Sequence, residues 1–252
     1  MDPTQARNQQ IANFIGRLLR DHFGKGPESV HVCISRTLMM VYLKNFLSPM
    51  ERVLMESGRS ATVFELRREL MSSLIPQIQA YVEIVTGNQL HEFYYDWAFH
   101  NKAGMMIGLS VNPFSESDPY EEMYEGKLPL EQEIVEISRQ AQKVPEAISS
   151  CLLDSRTIVV IRNGILVRIE KELVREGLAP TLRRVKANLE KSLLHHDNHF
   201  ESMLGRTVTD IFVDWDFDLD KSVISFVLNP KKPVGVDFRH MPLVQQTSDE
   251  PQ

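Results

Sequence analysis

The sequence predicts an α+β protein built from two related α-β-β-α-α-β-β units, each an antiparallel sheet with helices packed on one face. Three observations lead there. The chain repeats itself, its apolar residues recur at threes and fours in some segments, and other segments are short apolar runs that come in pairs around tight turns.

The repeat comes first. "FLSPMERVLMESG", from Phe46, and "ILVRIEKELVREG", from Ile165, stand 119 residues apart. In that register Leu47 meets Leu166, Glu51 meets Glu170, Gly58 meets Gly177 and Leu70 meets Leu189. With one residue dropped, Gly87 meets Gly205, Asp96 meets Asp214, and the chain's two tryptophans, Trp97 and Trp215, coincide. Upstream, "KGPESVHVC" lies over "KVPEAISSC", which aligns Cys33 with Cys151, and "SRTL" from Ser35 echoes "SRTI" from Ser155. A copied unit explains all of these blocks together.

Each element of the first unit has its own signal. Ile11, Phe14, Ile15, Leu18, Leu19 and Phe23 form a helical stripe, which Gly24 and then Pro27 stop. "VHVCI" and "LMMVYL" read as a hairpin. "SPME" starts a helix: Ser48 can accept a backbone N–H, Pro49 needs no donor, and Glu51 can reach back. Thr62 and Glu65 have capping-box spacing for a longer helix, with Leu66, Leu70, Leu74, Ile78 and Val82 on its stripe. Pro76 is expected to kink that helix or split it, and Gly87 closes it. "QLHEFYYDW" and "GMMIGLSV" supply a second hairpin. The second unit keeps the order but loses the glycines of "FGKGPE" and a partner from each capping box.

The expected organisation is a first repeat over 1–111, a linker over 112–129, a diverged repeat over 130–230 and a polar tail over 231–252, its last ten residues disordered. The linker holds three prolines and the acids Glu116, Asp118, Glu121, Glu122 and Glu125. With 42% hydrophobic and 25% charged residues, 252 residues suit two ordinary packed domains. A formal charge of −6 argues against general nucleic-acid coating, though not against a local basic patch. No run of about 18 apolar residues suggests a spanning helix. The N-terminal stretch lacks secretory features, and Cys33 and Cys151 lack CxxC spacing, so a cytoplasmic location is expected.

Several residue clusters are of types that can carry chemistry. "DIFVDWDFDLDK" places Asp214, Asp216, Asp218 and Asp220 on alternate positions. A calcium loop starting at Asp214 would need Gly and Glu where Leu219 and Ser225 stand, so a solvated strand face is the favoured reading. Asp96 and Asp214, shared by both units, remain candidates for a structural or binding role. "LLHHDNHF" sets His195 and His199 one helical turn apart, weak candidates for a metal, yet the zincin glutamate is replaced by His196. "GKGPES" is a helix stop rather than a phosphate loop, and the two cysteines read as inert thiols. Residues 162–191 carry eight basic side chains against four acids. Arg168, Lys171, Arg175, Arg183, Arg184 and Lys186 are the candidates for an interaction surface there.

The segments "GKGPESVHVCI", "FLSPMERVLMESG", "VFELRREL" with Arg67 or Arg68, and "YVEIVTGNQL" resemble the MpsC family of small bacterial proteins, over most of residues 8–111. The second half resembles it more faintly. The resemblance implies an accessory protein linked to a sodium-translocating, membrane-potential-generating system, and carries over no catalytic residues and no cofactor. The expectation is a non-enzymatic accessory or regulatory binding protein with a protein partner, acting in the cytoplasm or peripherally at a membrane beside an ion or inorganic-carbon transport complex. The alternatives are a nucleic-acid-associated regulator using the basic face, and a metal-dependent hydrolase using His195 and His199.

Overall fold

Ile11, Ile15, Leu18 and Leu19 lie on one stripe of the first helix and are buried. Gly24, with φ of 70°, stops that helix where the sequence places the stop. The computed structural model describes residues 3–114, 122–196 and 199–229. The predicted acidic linker falls partly, and the predicted disordered tail wholly, outside the described residues.

The first unit runs α1 (Pro3–Phe23), β1 (Ser29–Ser35), β2 (Leu38–Lys44), α2 (Pro49–Glu56), α3 (Ser60–Thr86), β3 (Leu90–Ala98) and β4 (Ala103–Ser110). The second runs α4 (Lys127–Ala141), β5 (Ala147–Asp154), β6 (Thr157–Asn163), α5 (Arg168–Arg175), α6 (Ala179–His196), α7 (His199–Leu204), β7 (Val208–Asp216) and β8 (Lys221–Leu228). The expected order holds in both, with α7 as an addition. Each unit forms a four-stranded antiparallel sheet, ordered β1-β2-β4-β3 and β5-β6-β8-β7. Trp97 pairs with Gly104, and Trp215 with Ser222, so the two tryptophans occupy the same place in their sheets.

The helices cover one face of each sheet, as expected. Trp97, Val41 and Met106 face α1 and α3, and Trp215, Val213 and Ile224 face the helices of the second unit. Successive strand residues point to opposite sides. Their neighbours Tyr94, Met40 and Met105 therefore face away from the helices, and they pack directly against Phe212, Val159 and Val223 of the other sheet. The molecule is a four-layer sandwich, helix–sheet–sheet–helix, with three apolar layers.

Local signals mostly act as read. Ser48 Oγ accepts from Glu51 N at 3.3 Å, and Ser48 N donates to Glu51 Oε2 at 2.7 Å, completing the capping box with Pro49 at the helix start. In the second unit the Val167 side chain cannot accept, yet its N–H still donates to Glu170 Oε2 at 3.0 Å. Two expectations are corrected. The Thr62–Glu65 box does not form, because α3 begins earlier, at Ser60, with no side-chain cap. Of the two outcomes expected at Pro76, a kink or a split, the split does not occur: α3 runs unbroken from Ser60 to Thr86. Val63, Arg67, Met71, Leu74, Ile78 and Val82 keep one buried face in phase on both sides of the proline, and packing holds what the missing N–H would loosen.

Candidate functional site

β3 and β7 end their sheets and lie against each other. An edge strand leaves backbone N–H groups without ladder partners. Here two carboxylates take them. Asp96 Oδ2 accepts from Val213 N at 3.0 Å, and Asp214 Oδ2 accepts from Tyr95 N at 2.9 Å. Tyr95 and Val213 are equivalent in the repeat, so the exchange is reciprocal, as a two-fold relation between the units requires. The remaining oxygens meet cations from one helix, α6: Lys191 Nζ donates to Asp96 Oδ1 at 2.6 Å and Arg183 pairs with Asp214. Burial pushes the Asp214 carboxyl up, with Arg183 and the Tyr95 N–H opposing. Burial would lower the Arg183 guanidinium, but the Asp214 charge outweighs this and holds it above its usual value. We take the pair as ionised, because the carboxylate has hydrogen-bond donors on both oxygens.

A cleft opens over this seam, with about 540 Å³ of unfilled space counting its mouth. Phe64, Tyr95, Trp97 and Trp215 give it apolar walls, and Glu65, Arg68, Arg183 and Arg184 give it charge. Burial and the Asp214 charge push the Tyr95 phenol up to about 12, so it stays neutral at physiological pH. Residues of both units line the cleft.

The acidic row runs into a hairpin turn, as expected, and meets solvent there, Asp218 most of all, but its strand part is not a solvated face. Asp214 is 2% exposed and lies on the inter-sheet side of β7, beside the buried Asp210, which accepts from the Tyr42 hydroxyl at 2.5 Å. The strand ends at Asp216, which accepts from Asp218 N and Leu219 N in the following turn. Asp220 turns back to take Ile165 N and Leu166 N. The alternation was right, but the strand's second face is covered by the other sheet.

The basic face is also corrected. Lys186 is buried at 5% exposure and bonded to Glu170 at 2.7 Å, and Arg162 is fully buried against Glu190 at 2.6 Å. Lys171 pairs with Asp220, Arg175 with Glu172, Arg183 with Asp214 and Lys191 with Asp96. Of the proposed surface, Arg168 and Arg184 stand exposed without a carboxylate partner among the described residues. The excess positive charge of the segment mostly neutralises buried acids.

His195 and His199 do not share a helix, since α6 ends at His196 and α7 begins at His199. Both are exposed, and His195 makes an edge-on ring contact with His100 at 5.7 Å. Among the described residues no three His, Cys, Asp or Glu side chains gather to hold a metal. Cys151 is buried, and Cys33 is half-buried with its thiol 3.7 Å from Leu153 O.

Sequence reasoning missed one feature of both units. Arg67 is fully buried, bonded through Nε and Nη2 to the two Glu51 oxygens at 2.7 and 3.0 Å and through Nη2 to Phe46 O at 2.9 Å. Its guanidinium lies 4.4 Å from the Trp97 ring centre. The repeat register sets Lys186 over Arg67 and Glu170 over Glu51, and Lys186 Nζ lies 5.6 Å from the Trp215 ring centre. An acid and a cation sixteen residues apart in both copies were the available signal.

A family model described as "Na+-translocating membrane potential-generating system (MpsC)" matches residues 4–110 and again 128–230. The chain belongs to the MpsC family. Its two matched stretches are the two structural units, so this MpsC chain is a tandem pair. The description ties the MpsC family to a membrane ion system, and no described helix of the chain is long and apolar enough to cross a membrane. No curated protein and no solved structure matches the chain.

Proposed function

We propose that the chain is a non-enzymatic accessory or regulatory binding protein that works in the cytoplasm, peripherally at a membrane, beside an ion or inorganic-carbon transport system. The match of both units to the MpsC model carries this reading. The seam supports it. The two units are fastened through Asp96 and Asp214, and the cleft over that fastening is built from both. In this reading residues 1–111 and 130–230 are the working units, 112–129 connects them and 231–252 is a tail.

The test is affinity purification of the tagged full chain from membranes of its native host, with mass spectrometry. An ion-transporting membrane complex should be recovered from wild type and lost with Arg184→Glu, which reverses an exposed charge at the cleft. Recovery of free protein or of ribosomes alone would overturn the reading.

A further inference from the structure

A second seam lies across the molecule, where β1 packs beside β5. A pocket opens at its end, with about 640 Å³ of unfilled space counting the mouth. Ser29, His31, Tyr42 and Lys44 of the first unit line it, with Arg156 and Thr157 of the second.

The charges there do not balance. Neither Lys44 nor Arg156 has a carboxylate partner among the described residues: Lys44 Nζ lies over the Tyr42 ring, and Arg156 Nε reaches only Leu228 O at 3.4 Å. The nearby acids are otherwise engaged. Asp154 takes His31 Nε2 at 3.0 Å and Arg156 N at 2.7 Å, and Asp210 takes the Tyr42 hydroxyl and Asn101. Burial would raise the Asp154 carboxyl, but the His31 and Arg156 N–H contacts outweigh it and hold it below the usual range. Arg206 is held below its usual value by burial and then by the charge of Arg156, so the cations also repel one another.

The repeat supplies the comparison. Arg156 stands in the turn "SRTI" where Arg36 stands in "SRTL". Arg36 Nη1 holds a carboxylate, Glu122 Oε1, at 3.0 Å. The counterpart of Lys44 is the uncharged Asn163. One turn arginine has its acid from the chain, while the other has none among the described residues and shares its pocket with a lysine. We propose that this pocket binds an oxyanion, a carboxylate or phosphate group, clamped between Lys44 of one unit and Arg156 of the other. A guanidinium fork matches two oxygens of such a group, and the ammonium adds a point charge. The proposal is independent of the function proposed above.

The experiment titrates the full chain with inorganic phosphate and, separately, with acetate. Thermal midpoint and calorimetric heat are read against sodium chloride of equal ionic strength, because a ligand of the native state raises the midpoint in a saturable way. Wild type should respond saturably to at least one anion, and the stronger response says whether phosphate or carboxylate is the fitting group. Arg156→Gln and Lys44→Gln should each weaken that binding by roughly tenfold to a hundredfold, the loss of one charge-assisted contact. Arg36→Gln, at the turn that already holds Glu122, should leave it unchanged. Either of two results overturns the proposal: no saturable response beyond chloride, or Arg156→Gln and Lys44→Gln both titrating like wild type.

Discussion

Glu51→Gln should be the most damaging conservative change in the first unit. Arg67 is fully buried and circled by Trp97, Phe46 and Phe99 at 4.4, 4.8 and 5.0 Å from its guanidinium. Aromatic faces favour a cation by ~2 kcal/mol when water is absent, but they cannot neutralise it. Glu51 does that, and its two oxygens take three N–H groups, from Arg67 Nε, Arg67 Nη2 and Ser48 N. A glutamine offers one oxygen and sets an NH₂ against a donor, leaving a buried cation without a counter-charge and with one acceptor fewer beside Phe46 O. Breaking a buried pair from one side costs about 3–5 kcal/mol. With a urea slope of ~3 kcal/mol/M, the unfolding midpoint should fall by about 1–1.7 M. Pairing Glu51→Leu with Arg67→Met should recover most of the loss, because an apolar pair leaves no orphaned charge. The twin change, Glu170→Gln, should cost less, since Lys186 keeps Gln142 and lies 3.9 Å from Glu190. A loss below ~1 kcal/mol for Glu51→Gln, or a double variant no better than the single, would refute the assignment of this pair as a coupled unit.

Three further outcomes are expected. Gly104→Ala should destabilise by ~1–3 kcal/mol and alter the fluorescence of Trp97, because the added Cβ would lie 2.4 Å from the ring; thermal melts and emission spectra check this. Asp214→Asn should cost ~1–3 kcal/mol and speed hydrogen exchange at the Tyr95 amide, while Asp96→Asn should do so at Val213, as exchange measured by NMR will show. Stability should fall in acid: Glu51, Asp154 and Asp220 are held below the usual carboxylate range, so their contribution is present at neutral pH and lost as pH drops through their folded values. Asp214, pushed up by burial, acts with the opposite sign, and Asp214→Asn should steepen the acid loss seen in urea titrations across pH.

The hairpins were legible because runs such as "LMMVYL" have no helical period, and the helix start at Ser48 because each residue of "SPME" has a local task. The register of the copies was legible from Trp97 and Trp215. What faces the far side of each sheet was not. β2 is buried from Leu38 to Leu43, and a strand apolar on both faces says that both are covered without saying by what. The acids of β7 misled for a related reason. Alternation separates two faces of a strand, but it does not tell which is wet. Asp214 is dry because an edge strand of the other unit needs its oxygens, a partner invisible to any local pattern.

The divergence of the second unit follows from the same geometry. In the first unit, Leu43 pairs with Gly104 and shares an apolar cluster with the fully buried Met71. The repeat register puts Arg162, Ser222 and Glu190 at these places. Arg162 Nε donates to Ser222 Oγ at 2.8 Å and Nη1 to Ser138 Oγ at 2.8 Å, while Nη2 meets Glu190 at 2.6 Å. An apolar cluster has been exchanged for a satisfied polar one, and Lys186 links it to Glu170. A half-satisfied network would be worse than the apolar core it replaced, so these residues are tolerable only together. The basic residues of α6 therefore divide by direction. Lys186 serves its own unit, and Arg183 and Lys191 reach the seam to neutralise one aspartate from each unit. Both seam cations come from the second copy, where the first copy has Phe64 and Ser72. Separated, the first unit would lose Lys191 and the Val213 N–H from Asp96 and expose the apolar face that packs on the other sheet, which makes the tandem pair, rather than either copy, the unit that carries the cleft.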